Sequence, residues 1–111
     1  MSDQSVNVTT EAALRKNLIS GGQIELTCKA SPSRRGSVWY GAWVIHSIEM
    51  SGQSKALVTA RGSRSDGDIK VRVFKTATGL ISFLQECGFS EIRFPFVEDQ
   101  TIRIALPIEP A

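Results

Sequence analysis

Two segments of the chain carry apolar residues at the spacing of one helix face. The first helix is predicted to begin at Thr9-Thr10-Glu11, where a threonine can cap free backbone N–H groups, and to end at Gly21-Gly22. The second is predicted to follow Thr76, which can also cap, and to end at Gly88. The apolar stripes are Leu14, Leu18 and Ile19 in the first helix and Leu80, Phe83, Leu84 and Cys87 in the second. Both stripes predict amphipathic helices that pack against a sheet.

Between the helices the hydrophobic period changes to two, which predicts strands at residues 23–30, 38–50, 55–61 and 69–74. Residues 38–50 are apolar at both parities, so this strand is predicted to be central, covered on both faces and bent at Gly41. Inward-facing side chains are predicted at Ile24, Leu26, Cys28 and Ala30 of the first strand and at Ile69, Val71 and Val73 of the last. Residues 31–37 are interpreted as a turn-rich loop. Short turns predict that the four strands form an antiparallel meander.

After the second helix, residues 91–96 and 101–106 alternate on either side of the turn Glu98-Asp99-Gln100, which predicts a C-terminal hairpin. The predicted fold class is therefore α+β, an antiparallel sheet (the four-stranded meander plus this hairpin) with two helices packed on one face. Residues 1–8 are predicted to be a flexible leader, residues 9–106 a single domain and residues 107–111 an extended tail. The face opposite the helices is predicted to carry Lys29, Lys70, Arg72, Arg93 and Arg103.

Composition argues against a fold that depends on a metal or a disulfide. With 111 residues, of which 41% are hydrophobic, the chain can bury a core without a metal or a disulfide. Cys28 and Cys87 both fall on predicted apolar faces, so we expect both to be reduced and buried. The single histidine, His46, falls in the most apolar strand. A hydrogen-bonded core histidine is expected there, rather than a zinc ligand or the base of a Cys-His pair.

Recognisable catalytic and targeting motifs are missing from the sequence. No P-loop occurs, the tip Asp66-Gly67-Asp68 lacks the further ligands of a calcium loop, and the glutamates show no paired acid/base arrangement. We therefore predict that the protein is not an enzyme and binds no metal or cofactor. The first residues are polar, and no apolar run approaches the roughly 20 residues of a transmembrane helix. The protein is accordingly predicted to be cytoplasmic and without a membrane partner.

The basic residues are concentrated in the middle of the chain. The net charge is only +2, but residues 29–75 hold nine basic and three acidic residues, a net charge of +6. The remainder holds four basic and eight acidic residues, a net charge of −4. The nine basic residues are Lys29, Arg34, Arg35, Lys55, Arg61, Arg64, Lys70, Arg72 and Lys75. A basic block between acidic flanks is typical of a surface that attracts phosphate groups.

Aromatic residues lie beside part of this basic block. Arg34-Arg35 precede Trp39-Tyr40, and Arg61 and Arg64 occupy a second loop. Proteins that bind nucleic acid combine cations for the phosphates with flat rings for unstacked bases, each base–aromatic stack contributing roughly 1–3 kcal/mol. Tryptophans in this strand can equally be core residues, and loop arginines are often only solvated. The candidate nucleic-acid-binding residues are Arg34, Arg35, Arg61, Arg64, Lys70 and Arg72, with Trp39 and Tyr40 as stacking groups.

Three parts of the chain carry a resemblance to a known class of proteins. These are Ala-Leu-Val-Thr-Ala-Arg-Gly at residues 56–62, Val73-Phe74-Lys75-Thr76-Ala77, and residues 80–88 with Phe94. Together they resemble the small plasmid-borne ParC-family partition-associated proteins, which are encoded beside partition ATPases. The resemblance covers about half of the chain and brings no site residue with it. It implies an accessory role in maintaining or transferring a mobile element.

Two functions from different classes agree with these patterns. The first is a non-catalytic accessory protein that contacts the phosphates of DNA or RNA through a basic surface. The second is a protein-interaction module, a homodimer or the binder of another protein, which uses an exposed strand edge or the aromatic strand as its interface. The two functions are compatible, because dimeric basic sheets often bind nucleic acid. An undetected small enzyme is a third alternative.

Overall fold

The computed structural model describes residues 7–59 and 70–107 of the chain. Within these ranges it contains seven strands and two helices, so the predicted α+β class is confirmed. The strands are β1 (Val8–Thr9), β2 (Gln23–Arg35), β3 (Val38–Ile48), β4 (Ser54–Thr59), β5 (Lys70–Val71), β6 (Phe74–Thr76) and β7 (Thr101–Ala105), and the helices are α1 (Glu11–Ile19) and α2 (Ala77–Cys87). Most of the predicted leader and tail, residues 1–6 and 108–111, lies outside the described residues.

The strands form one mixed sheet in the order β1-β4-β3-β2-β7, with β5 beside β4 and β6 beside β3. β2, β3 and β4 are consecutive antiparallel neighbours, and β3 lies in the middle as predicted. The sheet departs from the prediction at one edge, where β1 pairs with β4 in parallel. Val8, which was predicted to belong to the leader, is therefore part of the sheet.

Both helices begin where the capping residues predict. The Thr10 hydroxyl accepts a hydrogen bond from the Ala13 N–H at 3.2 Å, and the Thr76 hydroxyl accepts one from the Gly79 N–H at 3.0 Å. α2 ends at Gly88, whose φ of 109° is left-handed and suits glycine. The prediction for Ile19 is wrong, because this side chain is 79% exposed. At 100° per residue it lies far from the direction shared by Leu14 and Leu18, which are buried.

One hydrophobic cluster joins the sheet and both helices. Residues directly opposite each other on paired strands share a face, and Leu26 lies opposite Ile45 while Cys28 lies opposite Trp43. The buried members of the cluster are Leu14, Leu18, Ile24, Leu26, Cys28, Trp43, Ile45, Leu57, Phe74, Leu80, Phe83, Leu84 and Phe89. Each large member contributes roughly 1.5–3 kcal/mol through burial. Ala30, predicted to face inward, is exposed because a register shift between Cys28 and Ala30 interrupts the alternation.

The single strand predicted at residues 69–74 is replaced by two short strands, β5 and β6. The odd-numbered residues that the structure describes here, which were predicted to face inward, are not the buried ones. β5 pairs with β4 and β6 pairs with β3, so a single alternation does not run through both. Val71 and Val73 were predicted to face inward but are 46% and 42% exposed, whereas Phe74 is buried. Arg72, predicted to face outward, is half-buried. Ile69 lies outside the described residues.

The first strand of the predicted C-terminal hairpin is absent from residues 91–96, which the structure describes as irregular chain. Pro95 lacks a backbone N–H for a strand ladder, and it is buried with its carbonyl accepting a hydrogen bond from Trp43 Nε1 at 3.0 Å. The Gln100 side chain accepts hydrogen bonds from the backbone of Phe96 and Val97. β7 is formed as predicted, but it pairs with β2. Neither α1 nor α2, the helices of the described ranges, is long and apolar enough to cross a membrane.

Candidate nucleic-acid interface

The β2–β3 hairpin extends beyond the strands that flank it. β7 pairs only with Gln23–Thr27 of β2, and β4 pairs only with His46–Ile48 of β3. β6 reaches along β3 as far as Tyr40. Among the described residues, 33–35 and 38–39 pair only with each other. We call residues 33–40 the arm; it is a two-stranded ribbon except at its base, where β6 also pairs with Tyr40.

The arm replaces most of the loop that was predicted at residues 31–37. β2 continues to Arg35, and Arg35 pairs with Val38, so only Gly36-Ser37 remains as the turn. Gly36 has a φ of 64°, the left-handed conformation that two-residue hairpin turns need. The prediction of a loop was wrong because Ser and Pro at residues 31–33 suggested turns, whereas cross-strand pairing keeps this segment extended.

Two irregularities in β2 separate the arm from the rest of the sheet. The register with β3 shifts once between Cys28 and Ala30 and again between Ala30 and Ser33. In each case β2 contains one residue more than the facing part of β3. Such bulges bend a strand and increase its right-handed twist. Between Ser33 and Arg35 the pairing is regular again.

Each arginine of the arm lies over an aromatic ring. The guanidinium carbon of Arg34 is 6.0 Å from the ring centre of Trp39, directly across the hairpin. The guanidinium carbon of Arg35 is 5.3 Å from the ring centre of Tyr40, its diagonal neighbour. Trp39 and Tyr40 are nevertheless 48% and 40% exposed. The arm therefore presents two cation–aromatic pairs to solvent, each typically worth about 0.5–1 kcal/mol at an exposed site.

The positive charge of the arm is not neutralised within the described part of the chain. No carboxylate there lies within 4.0 Å of Arg34 or Arg35. Other basic residues have such partners, as in Lys55–Glu49 and Arg103–Glu25, both at 3.1 Å. Arg34 and Arg35 are thus available to a phosphate group, which a guanidinium can bind with two parallel hydrogen bonds.

The structure does not bring all the predicted site residues together. Arg34, Arg35, Trp39 and Tyr40 lie on the arm. Lys70 lies on β5, which pairs with β4 and not with the arm. Arg61 and Arg64 lie outside the described residues.

Arg72 lies against the helices and not on an outer face of the sheet. Its guanidinium carbon is 4.5 Å from the ring centre of Phe74 and 5.0 Å from that of Phe83. The same side chain is 3.7 Å from the carboxylate of Glu11 in α1. Its contacts therefore connect β6, α1 and α2, and they reduce its availability to a phosphate group.

The two tryptophans have different surroundings. Trp43 is fully buried and its ring packs against Phe94, with ring centres 5.6 Å apart. Trp39 is half exposed on the arm. Gly41 lies between them, and a Cβ at this position would be 2.8 Å from Cη2 of Trp43. Glycine at residue 41 therefore leaves room for the indole, a role that the predicted bend did not anticipate.

The two cysteines show no activating environment. Burial raises the pKa of the Cys28 thiol, and burial also raises that of Cys87, where nearby Arg15 partly opposes the shift. A nucleophilic cysteine requires the opposite shift. Both cysteines are free, with Cys28 buried as predicted and Cys87 only half-buried. No group of three His, Cys, Asp or Glu side chains that could hold a metal occurs in the described part of the chain.

His46 differs from the hydrogen-bonded core residue that was predicted. It is half-buried, and its Nδ1 is buried without a hydrogen-bond partner. The cross-strand neighbour Glu25 carries a carboxylate, but that carboxylate accepts a hydrogen bond from Arg103 Nε at 3.1 Å.

A groove of about 500 Å³ lies between α2 and the irregular chain that follows it. Its lining is largely apolar and includes Ile81, Leu84, Phe89, Ile92 and Phe94. Glu91 and Ser90 also line it, but a lone carboxylate beside a serine is not the nucleophile–base arrangement that acyl transfer needs.

The arm could have been recognised from a signal in the sequence. Gly36-Ser37 is a two-residue turn of the type that joins hairpin strands, and it separates Arg34-Arg35 from Trp39-Tyr40. Cross-strand pairing then places each arginine beside a ring. Comparison of the chain with protein-family models, with curated proteins and with solved structures found no match.

Proposed function

We propose that the protein is a non-catalytic nucleic-acid-binding accessory protein and that the arm is its contact surface. The observation that carries the proposal is the pairing of Arg34 with Trp39 and of Arg35 with Tyr40 on the arm, whose tip extends past the flanking strands. Guanidinium groups bind phosphates, and exposed rings contact sugars or bases. The four side chains supply both kinds of contact within a few residues.

The surroundings of the arm support this assignment over a structural role. Neither arginine has a carboxylate partner among the described residues, and both aromatic rings remain exposed. A pair formed only to stabilise the fold would be expected to bury its ring, as Arg72 does with Phe74 and Phe83. The arm thus leaves its cations and rings exposed for a partner.

The experiment is a salt-dependent binding titration with a double substitution. R34Q/R35Q removes two positive charges from the arm, so affinity should fall for any nucleic-acid sequence. The slope of log K against log salt should become shallower by about 1.8 for duplex DNA, since each lost phosphate contact contributes about 0.9. Fluorescence anisotropy with a labelled 24-nucleotide DNA, single-stranded and duplex, measures both quantities.

K16Q/K55Q is the control, because it removes two positive charges from the far end of the sheet, of which that of Lys55 is paired with Glu49. Lys16 lies in the last turn of α1, and Lys55 pairs with Ser47 at the end of β3 opposite the arm. This variant should keep most of the affinity. Equal losses in the two double variants would contradict a role for the arm, and no binding by the unaltered protein at low salt would contradict the proposal as a whole.

A second candidate function is self-association through an edge strand. Within the described ranges β7 pairs only with β2, so its outer edge presents unpaired backbone groups beside the half-buried Ile102 and Ile104. A monomer in light scattering at high micromolar concentration would contradict it. The mobile-element role and the cytoplasmic location remain predictions from the sequence.

A further inference from the structure

The arm has two faces, and each face carries one cation and one ring. Adjacent residues of a strand point to opposite faces, so Arg34 and Arg35 lie on opposite faces, as do Trp39 and Tyr40. Arg34 shares its face with Trp39, and Arg35 shares its face with Tyr40. The pairing from Ser33 to Arg35 is regular, so no bulge changes this alternation within the arm.

This arrangement is poorly suited to a single-stranded partner. Proteins that bind single strands place successive rings on one surface, so that neighbouring bases stack along it. The arm offers one ring and one arginine on each side of the ribbon. A single strand lying on one face would contact only half of these groups.

From this two-sided arrangement we infer that the partner is B-form duplex DNA and that the arm enters its major groove. This inference rests on the proposed function. A groove has a phosphate backbone along each wall, which matches a cation on each face of an inserted ribbon. Arg34 then contacts one backbone and Arg35 contacts the other.

The dimensions of the arm agree with this groove. A strand with its side chains is about 10 Å thick, judged from the spacing of packed sheets. The major groove of B-DNA is about 12 Å wide, whereas its minor groove is only about 6 Å wide. The major groove of duplex RNA is too narrow for side chains to read. Of these three grooves, only the first accepts the ribbon without deformation.

The tip of the arm is also small enough to approach the base edges. Residues 33–35 span about 10 Å at 3.3 Å per residue, close to the groove depth of about 8.5 Å. The turn consists of Gly36 and Ser37, and space around Gly36 is open, with no heavy atom within 4 Å of where a Cβ would lie. The serine hydroxyl can donate to or accept from a base edge.

The test compares four labelled probes of the same sequence at one salt concentration. They are a 24-base-pair DNA duplex, its single strand, the corresponding RNA duplex, and a DNA duplex whose cytosines carry glucosylated hydroxymethyl groups that fill the major groove. We expect the unmodified duplex to bind at least about tenfold more tightly than the other three. R34Q and R35Q should each weaken duplex binding by a similar factor, because the two side chains contact opposite walls.

The possible failures are distinguishable. Single-stranded DNA bound as tightly as the duplex, or glucosylation without effect, would overturn the major-groove inference and leave the proposed function standing. A large effect of only one arginine substitution would also overturn it, because a single face would then carry the contact. Absence of binding to every probe would overturn the proposed function itself.

Discussion

Trp39 and Trp43 lie four residues apart on the same strand, yet one is half exposed and the other fully buried. Their difference lies in what surrounds each position. Trp43 lies opposite Cys28 and beside Phe74, within the hydrophobic cluster that includes both helices. Trp39 lies on the arm, opposite Arg34. The register of β3 with β6 also shifts between Tyr40 and Trp43, so the alternation of β3 does not run unbroken from one tryptophan to the other. Burial depends on which element covers each side chain.

This contrast gives a prediction with an internal control. W43F removes the N–H that donates to the Pro95 carbonyl and leaves that buried acceptor without a partner. The free energy of unfolding should fall by about 1–3 kcal/mol. W39F, at an exposed site on the same strand, should change it by no more than about 0.5 kcal/mol. Urea unfolding followed by circular dichroism measures both, and equal effects would contradict the assignment of Trp43 to the core.

Several residues were placed correctly by periodicity and others were not. Leu14, Leu18, Leu26 and Cys28 are buried as predicted. Ala30 is exposed because a bulge precedes it, and a bulge leaves no mark in a hydrophobic pattern. The position of Arg72 over Phe74 and Phe83 depends on where α2 packs, which sequence spacing does not report.

At the scale of elements, β6 passes into α2 without a loop. Thr76 is both the last residue of β6 and the N-cap of α2. Its extended backbone, with φ −132° and ψ 150°, serves both roles, and its hydroxyl accepts the hydrogen bond from Gly79 N–H. Capping threonines were therefore a reliable signal for the starts of both helices.

Substitution of this cap should destabilise the fold measurably. T76A leaves the Gly79 N–H without its protein acceptor and should lower the free energy of unfolding by about 1 kcal/mol. T78A, two residues later and exposed, is the control and should have a smaller effect. Thermal denaturation compares the two, and equal stability of T76A and T78A would show that the hydroxyl does not cap the helix.

The helices and the central strand were predictable from sequence because each has a local signal, a cap or a period. The arm and the C-terminal segment were less so. Residues 31–33 contain turn-forming residues that are held extended by pairing with β3, and residues 91–96 alternate like a strand yet pack as irregular chain around Pro95. In both cases contacts distant in sequence override local preference.

At the scale of the whole molecule, the described chain divides into a covered part of the sheet and a projecting arm. Residues such as Leu26 and Ile45 are fully buried, whereas Arg34 and Arg35 are exposed. Strand order could not be read from the sequence, because β6 pairs with β3 and β7 pairs with β2 although these strands are far apart along the chain. The sequence identified Arg34, Arg35, Trp39 and Tyr40 as candidate site residues, but it did not predict that they lie together on a hairpin.

Amide hydrogen exchange should show this division. Amides of the arm, such as those of Arg35 and Trp39, have few buried contacts around them and should exchange about tenfold or more faster than those of Leu26 and Ile45. Nuclear magnetic resonance measurement of individual amides is the appropriate readout. Equal protection of the two groups would mean that the arm and the covered sheet open as one cooperative unit.

The two additional residues in β2 set the orientation of the arm, and they are not the residues that supply its charge and aromatic surface. Residues between Cys28 and Ser33 determine how strongly the strand bends and twists, whereas the residues beyond them supply charge and aromatic surface. Removal of one additional residue would leave only one of the two bulges and so reduce the bend, while the pairs Arg34–Trp39 and Arg35–Val38 stayed in register. The same four contact side chains would then approach a partner from another angle. The orientation of the arm and the identity of its contact residues could therefore be varied separately by design.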